Sequence, residues 1–356
     1  MDKKYIIDLT KKLIRNNSNS TNPDSINKTI LLAQNELENV GLKVHTIKKD
    51  NIVSIYTSLK DTYTPDILLN GHLDVVAGSK EQFRPYILEN NLFGRGAYDM
   101  KTACSVFITL IKEFSKLENK PNIGLLLVSD EEIGGKRGTF KSIEEGILPK
   151  FVITGEPTDL SIRYKSKGVI QINIIVSGKS AHSSRPWEGD SATSKSIKLL
   201  NKLEQYIPNV CKEEWKTTLN IAEIKSQGAF NVVSDKCEIN LDIRYIPEED
   251  PQKIIYDIEN IFKGESVNII FKEPPLSNLK SNIYIQKLKE SIKSINKEVK
   301  FSEGHGSSDA RYYTSRNIPA IAFGLRGKGL HSEIEFVEID SIDIYYKVLS
   351  DFILKK

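Results

Sequence analysis

Two of the five histidines stand in phrases that a metal site needs. His72 opens Gly71-His72-Leu73-Asp74 directly after the apolar run 66–70, and His331 lies in Gly329-Leu330-His331-Ser332-Glu333. Between them come Asp99 in Gly94-Arg95-Gly96-Ala97-Tyr98-Asp99-Met100-Lys101, the pair Glu131-Glu132, and Glu156 in Gly155-Glu156-Pro157-Thr158. Imidazole nitrogen and carboxylate oxygen both bind zinc at about 2.0–2.2 Å, and one carboxylate can bridge two ions roughly 3.5–4 Å apart. Asp74, two residues beyond His72, can take the proton on the other imidazole nitrogen and so fix the tautomer. The chemistry expected from this set is metal-dependent hydrolysis.

The elements that must position these groups alternate along the chain. Residues 25–41 are expected to form an amphipathic helix, with Ser25 as cap, Ile26, Ile30, Ala33, Leu37 and Val40 on one face, and Gly41 at its end. Short apolar strands are expected at 52–56, 66–70, 123–128 and 151–154, with helices at 102–114 and 139–146. Strands apolar on both faces and separated by helices imply an α/β fold with a mostly parallel sheet between helices. His72, the Glu131-Glu132 pair and Glu156 each follow one of these strands, at the rim where open α/β sheets bind ligands.

From about residue 166 the pattern changes. Strands at 169–176, 217–225, 237–244 and 267–271 and helices at 191–206 and 251–262 give the order βαββαβ of a ferredoxin-like α+β domain. Cys237, Ile239, Leu241 and Ile243 alternate with Glu238, Asn240, Asp242 and Arg244 along one of them. The expected division is therefore a catalytic domain of 1–165 and 276–356, with an inserted domain at 166–275. A chain of 356 residues is long enough for two such domains.

Each phrase has a plainer reading beside the chemical one. A single histidine after a strand is commonly a satisfied loop residue. Asp99 can cap the helix that begins at Thr102, the Glu131-Glu132 pair can be solvated charge, and Glu156 before a proline can be a turn residue. Their joint placement at strand ends favours the metal site. A net charge of +3 with interspersed signs implies neither nucleic acid nor an anionic membrane as partner. Cys104, Cys211 and Cys237 have neither a metal-type spacing nor an even count. No signal peptide or membrane span is visible, so the expected location is cytoplasmic. Gly94-Arg95-Gly96 lacks the third glycine of a dinucleotide fingerprint, and no phosphate-binding Gly-Lys-Ser/Thr loop occurs.

Taken in order, the phrases resemble the dinuclear-zinc peptidase and deacylase family of acetylornithine deacetylase, succinyl-diaminopimelate desuccinylase, aminoacylase and glutamate carboxypeptidase. The resemblance covers essentially the whole chain and includes Gly178-Lys179-Ser180-Ala181-His182-Ser183-Ser184-Arg185-Pro186. It implies that His72 and Glu156 hold one metal, Glu132 and His331 the other, and Asp99 bridges them. It further implies Glu131 as general base, a cis bond between Asp99 and Met100, and His182 as oxyanion donor, commonly given by a partner subunit. Arg244 would bind the substrate carboxylate with Asn231 nearby. The plain alternatives are a surface loop histidine for His182 and an arginine paired with Asp242 for Arg244. Ser308-Asp309-Ala310 also resembles a family loop, altered in its preamble by His305 and Ser307, while His45 reads as a surface residue.

The function implied is hydrolysis of the amide of N-acyl amino acids, the acetylornithine deacetylase or succinyl-diaminopimelate desuccinylase type of reaction. It would use two divalent ions, zinc first and cobalt or manganese next, in a homodimer formed through the inserted lid or dimerisation domain. Linkers near 166 and 275 would allow that domain to close over the substrate. The rival within enzymes is a dipeptidase or carboxypeptidase of the same family. A catalytically silent binding protein is the rival from another class, and its mark would be loss of Glu131 or of a ligand.

Overall fold

The strands Ile67–His72, Ile123–Val128 and Phe151–Thr154 are buried at every position, so each needs cover on both faces. The computed structural model, which describes residues 1–355, provides it. Ile123–Val128, Ile67–His72, Phe151–Thr154 and Ala320–Ala322 run parallel and adjacent in that order. Antiparallel strands extend this core: Ile52–Ser58 and His45–Lys49 on one side, Ile162–Ser166 on the other. Helices Lys3–Arg15, Pro23–Glu38, Thr102–Phe114, Ile283–Ser294 and Ile339–Leu354 share one apolar core with the sheet. A second cluster, with Ile143 and Tyr312 and Tyr313 from the helices Thr139–Glu144 and Ala310–Thr314, covers Leu68, Leu126 and Val152. The fold is thus the mixed α/β arrangement expected, with a mostly parallel central sheet.

Three local details differ from the sequence reading. The helix expected at 25–41 starts earlier, at Pro23, because Asn22 rather than Ser25 is the cap: its side chain accepts from the Ser25 N–H. Lys3–Arg15 is a full helix capped by Asp2, burying Ile6, Leu9, Leu13 and Ile14 at helical spacing. A small antiparallel sheet joins Gly327–Lys328, Phe336–Glu338, Asn91–Phe93 and Tyr86–Leu88. It ties the chain before Asp99 to the chain after His331.

The chain divides into two units. One holds 1–165, 276–302 and the residues from 308 onward; the other holds 166–275 together with 303–307. The segment 303–307 had been expected with the first unit. It goes with the second because Gly304 accepts a backbone hydrogen bond from Lys167, and His305 stands 3.3 Å from Glu213 and edge-on to Trp215. Lys356, the last residue of the expected catalytic segment, lies outside the described residues.

In the second unit four antiparallel strands stand in the order Thr218–Ser226, Lys236–Tyr245, Gly168–Ser177, Ser266–Glu273. Cys237, Ile239, Leu241 and Ile243 point into a core shared with helices Ala192–Tyr206 and Pro251–Ile261. A two-residue ribbon, Ala181–His182 paired with Val232–Val233, carries His182.

Candidate metal centre

Parallel strands deliver their C-terminal ends to a common rim, which the first unit uses for His72, Glu132 and Glu156, while Asp99 and His331 come from segments beside the small antiparallel sheet. His72 is the last residue of its strand and only 1 % exposed. Its Nδ1 donates to the backbone carbonyl of Asp74 at 2.9 Å, which leaves Nε2 for a metal. Nε2 stands 3.1 Å from Asp99 Oδ1, and the other oxygen of Asp99 is 3.3 Å from His331 Nε2. His331 Nε2 is also 3.3 Å from Glu132 Oε2. Two ligand triads result, His72–Asp99–Glu156 and Asp99–Glu132–His331, each with its donor atoms within 4.8 Å of one another. They share Asp99. The Asp99–Met100 peptide bond is cis.

The Asp74 carboxylate does not do what the sequence suggested. It lies 3.7 Å from His72 Nδ1, beyond hydrogen-bond reach, because the short step from His72 turns the Asp74 carbonyl inward instead. Its two oxygens accept the backbone N–H groups of Glu131 at 3.3 Å and Glu132 at 3.0 Å. Asp74 thereby locks the turn Glu131–Ile133 onto the His72 strand, and presents Glu131 and Glu132 from a fixed backbone.

Two further residues, not singled out from the sequence, hold the site together. The buried pair Arg95–Glu335 is closed at 2.8 Å, and the second Glu335 oxygen accepts the N–H groups of Tyr98 at 2.9 Å and Asp99 at 3.1 Å. Arg95 also donates to the Ser332 carbonyl at 2.9 Å, one residue beyond His331. The loop that carries His331 turns at Gly329, which has φ +81; a Cβ there would lie 1.7 Å from the Ile334 carbonyl oxygen. On the other flank, Arg311 donates to the Gly134 carbonyl at 2.8 Å and Thr139 donates to Asp309. The Ser308–Asp309 loop therefore braces the turn that carries Glu131.

The electrostatics fit bound cations. Burial raises Glu156 to about 8, with the Asp99 charge adding to it, and burial followed by Glu156 raises Glu131 well above the usual carboxylate range. Burial likewise lifts Asp74 to about 7. Burial opposes the charged forms of Asp99 and His72, but their hydrogen bonds outweigh it: Asp99 is held low by His331 and His72, and His72 is held high by Asp99. Hydrogen bonds to Asp99 and Glu132 lift His331 to about 10. Acids crowded until they resist ionising, beside imidazoles that retain protons, form a site that divalent ions would neutralise. The nitrogen and oxygen donors suit zinc, cobalt and manganese.

Comparison with known proteins gives the family. Residues 68–355 match the model of peptidase family M20/M25/M40. The chain belongs to that family. A succinyl-diaminopimelate desuccinylase from Rickettsia massiliae (strain Mtu5) is 27% identical over 340 residues, covering 86% of this chain and 88% of the relative. A tripeptidase from Staphylococcus aureus superimposes with a TM-score of 0.83 at 17% identity, covering 99% of this chain and 98% of that one. A dinuclear metal-binding peptidase from Bacillus subtilis does so with a TM-score of 0.75 at 12% identity, covering 98% and 97%. The family makes this chain a metal-binding hydrolase of the peptidase and amidohydrolase type. Among the described residues no helix is long and apolar enough to cross a membrane.

The remaining expected site residues lie in the second unit. His182 is exposed on its ribbon, and its Nδ1 accepts the Ser184 N–H at 3.2 Å, with Ser184 Oγ at 2.8 Å. With Nδ1 accepting, Nε2 is the ring nitrogen left to donate. Asn231 is its neighbour, since the Ser183 N–H bonds the Asn231 carbonyl at 2.9 Å. Arg244 lies at the far end of the long central strand from this ribbon, and its fork is engaged by Asp242 at 2.6 and 3.1 Å. The plain reading of Arg244 thus matches its geometry. His45, in an edge strand, contacts Asp61 and Tyr63 and lies outside the centre.

Proposed function

We propose that this chain hydrolyses the amide bond of N-acyl amino acids at a dinuclear centre, with Glu131 as general base. The observation that carries the reading is the pair of ligand triads sharing Asp99, with Glu131 fixed next to Glu132 on the turn that Asp74 locks. His72, Asp99 and Glu156 would hold one ion, and Asp99, Glu132 and His331 the other, zinc being the first choice. When bound, the ions would polarise the scissile carbonyl and acidify a water molecule. Glu131 takes the proton of the attacking water and returns it to the leaving amine, a role that cations nearby favour by drawing its carboxyl back toward ionisation.

The Nε2–H of His182 is suited to donate to the oxyanion that develops on the carbonyl oxygen. Asn231 would stand beside it on the substrate. Arg244 would recognise a free carboxylate only by sharing its fork with Asp242. In this reading 1–165 and 276–356, apart from the segment 303–307, form the catalytic domain. Residues 166–275 serve as a lid and as the dimerisation surface of a cytoplasmic homodimer.

The test is amine release by zinc-reconstituted protein on N-acetyl-ornithine, N-acetyl-lysine, N-succinyl-diaminopimelate and simple dipeptides. Turnover of an acyl amino acid is expected, falling roughly 10²–10⁴-fold in Glu131→Ala while both metals stay bound. Turnover confined to dipeptides would make the chain a peptidase instead. Substantial activity left in Glu131→Ala would remove that residue from the base role.

A further inference from the structure

A groove of about 770 Å³ in the first unit opens beside His331, within the ~300–1,000 Å³ range of small-molecule sites. Segment 77–82, the strands carrying Tyr86 and Phe93, and the His331–Glu335 loop form its walls. It is held open by bonds of its own. Gln82 Nε2 donates to the carbonyls of Ser332 and Glu333, both at 3.0 Å, and Arg95 bonds Ser332 and Glu335 behind it.

Its lining is aromatic on one side. Tyr86 and Phe93 face each other across paired strands with ring centroids 4.8 Å apart and planes within 3°, and Phe336 lies against Phe93 at 5.0 Å. Tyr86 remains 54% exposed, and Ile334 from the His331 loop is 66% exposed. Open apolar surface of this kind, next to a metal ligand, favours a ligand that covers it. The side chains offer an acid no surplus of positive charge: Arg95 is paired with Glu335, and Arg84 and His331 are matched by Glu81 and Glu333.

We infer that this groove binds an uncharged aromatic or branched aliphatic group of the substrate, and so selects amides that carry such a group over amides with only small or acidic ones. The inference rests on the hydrolytic reading above, because His331 belongs both to the groove and to the metal centre. The group can come from the acyl side or from the amino-acid side of the amide.

The test compares kcat/KM for N-acetyl-alanine, N-succinyl-alanine, N-phenylacetyl-alanine and N-acetyl-phenylalanine. One aromatic compound should exceed N-acetyl-alanine and N-succinyl-alanine by about tenfold or more, as burial of a ring predicts. Which of the two does so identifies the side. Tyr86→Ala should bring that ratio close to one, and Tyr86→Phe should preserve it. A ratio near one in the wild type, a preference for the succinyl compound, or a ratio untouched by Tyr86→Ala would overturn the inference. Calorimetry on zinc-loaded Glu131→Ala separates this from the hydrolytic reading. There the aromatic compound should bind about tenfold tighter than N-acetyl-alanine, and Tyr86→Ala added to it should abolish the difference. Equal affinities would sink the groove proposal, while selective binding without wild-type turnover would sink only the hydrolytic reading.

Discussion

At the candidate metal centre His72, Asp74, Asp99 and Glu156 are all more than nine-tenths buried, and hydrogen bonds to the surrounding chain hold His72, Asp74 and Asp99 in place. In the second unit His182 stands exposed on a two-residue ribbon and Asn231 exposed just before its partner strand, steadied mainly by local bonds to Ser184 and from Ser183. The two regions use the same chemical types differently. Buried ligands gain their geometry from the protein before any ion or substrate arrives, and the protein meets the cost of bringing like charges together. An exposed donor bears no such cost, so its loss should affect turnover without affecting the fold. Damage at the centre should appear as lost stability and metal, whereas damage on the ribbon should appear as lost rate.

The largest effect is expected from the supports of the centre. Arg95→Ala strands the buried Glu335 carboxylate, which should cost about 3–5 kcal/mol of stability. It should also weaken metal binding by roughly 10–100-fold, as loss of outer hydrogen bonds to metal sites does. Denaturant unfolding and metal titration would check both, and a variant with wild-type values would show that the pair does not support the site. His182→Ala should lower kcat by about 10²–10³-fold with Tm and metal content unchanged. An unaltered kcat would end its oxyanion role. Arg244→Ala should raise KM by about fivefold or less, since the fork is already held in a partly exposed ion pair with Asp242. A hundredfold rise on substrates with a free carboxylate, absent on their esters, would mean that Arg244 leaves Asp242 to bind them.

The candidate centre is partly legible in the sequence because His72, Glu132 and Glu156 each end or directly follow a strand of the parallel sheet, whose direction brings them to one rim. Asp99 and His331 instead come from segments joined by the small antiparallel sheet. His72, Glu132 and Glu156 needed no knowledge of long-range packing. The supports were hidden because they are long-range. Arg95 and Glu335 are 240 residues apart, and no local pattern links them. Asp74 was placed correctly near His72 but given the wrong atom, since only the turn decides whether its carbonyl or its carboxylate faces the imidazole. The inserted fold follows from strict alternation at 237–244, whereas the allegiance of 303–307 depends on long-range contacts to Lys167, Glu213 and Trp215 that no local pattern shows. The first helix was legible in the spacing of Ile6, Leu9 and Leu13, but the charges interspersed among them obscured it.

The central claim is that Asp99 belongs to two metal sites at once, and counting bound ions against pH tests it most directly. The metal-free protein would be titrated with zinc in weakly buffered solution, with proton release recorded alongside. His331 near 10 and Glu156 near 8 hold protons at pH 7 that metal must displace. Protons should therefore be released at pH 7, and affinity should tighten as pH rises from about 6 to 8. Wild-type protein should take up two ions per chain and Asp99→Ala no more than one. A single ion in the wild type, or two retained by Asp99→Ala, would contradict the shared-carboxylate centre.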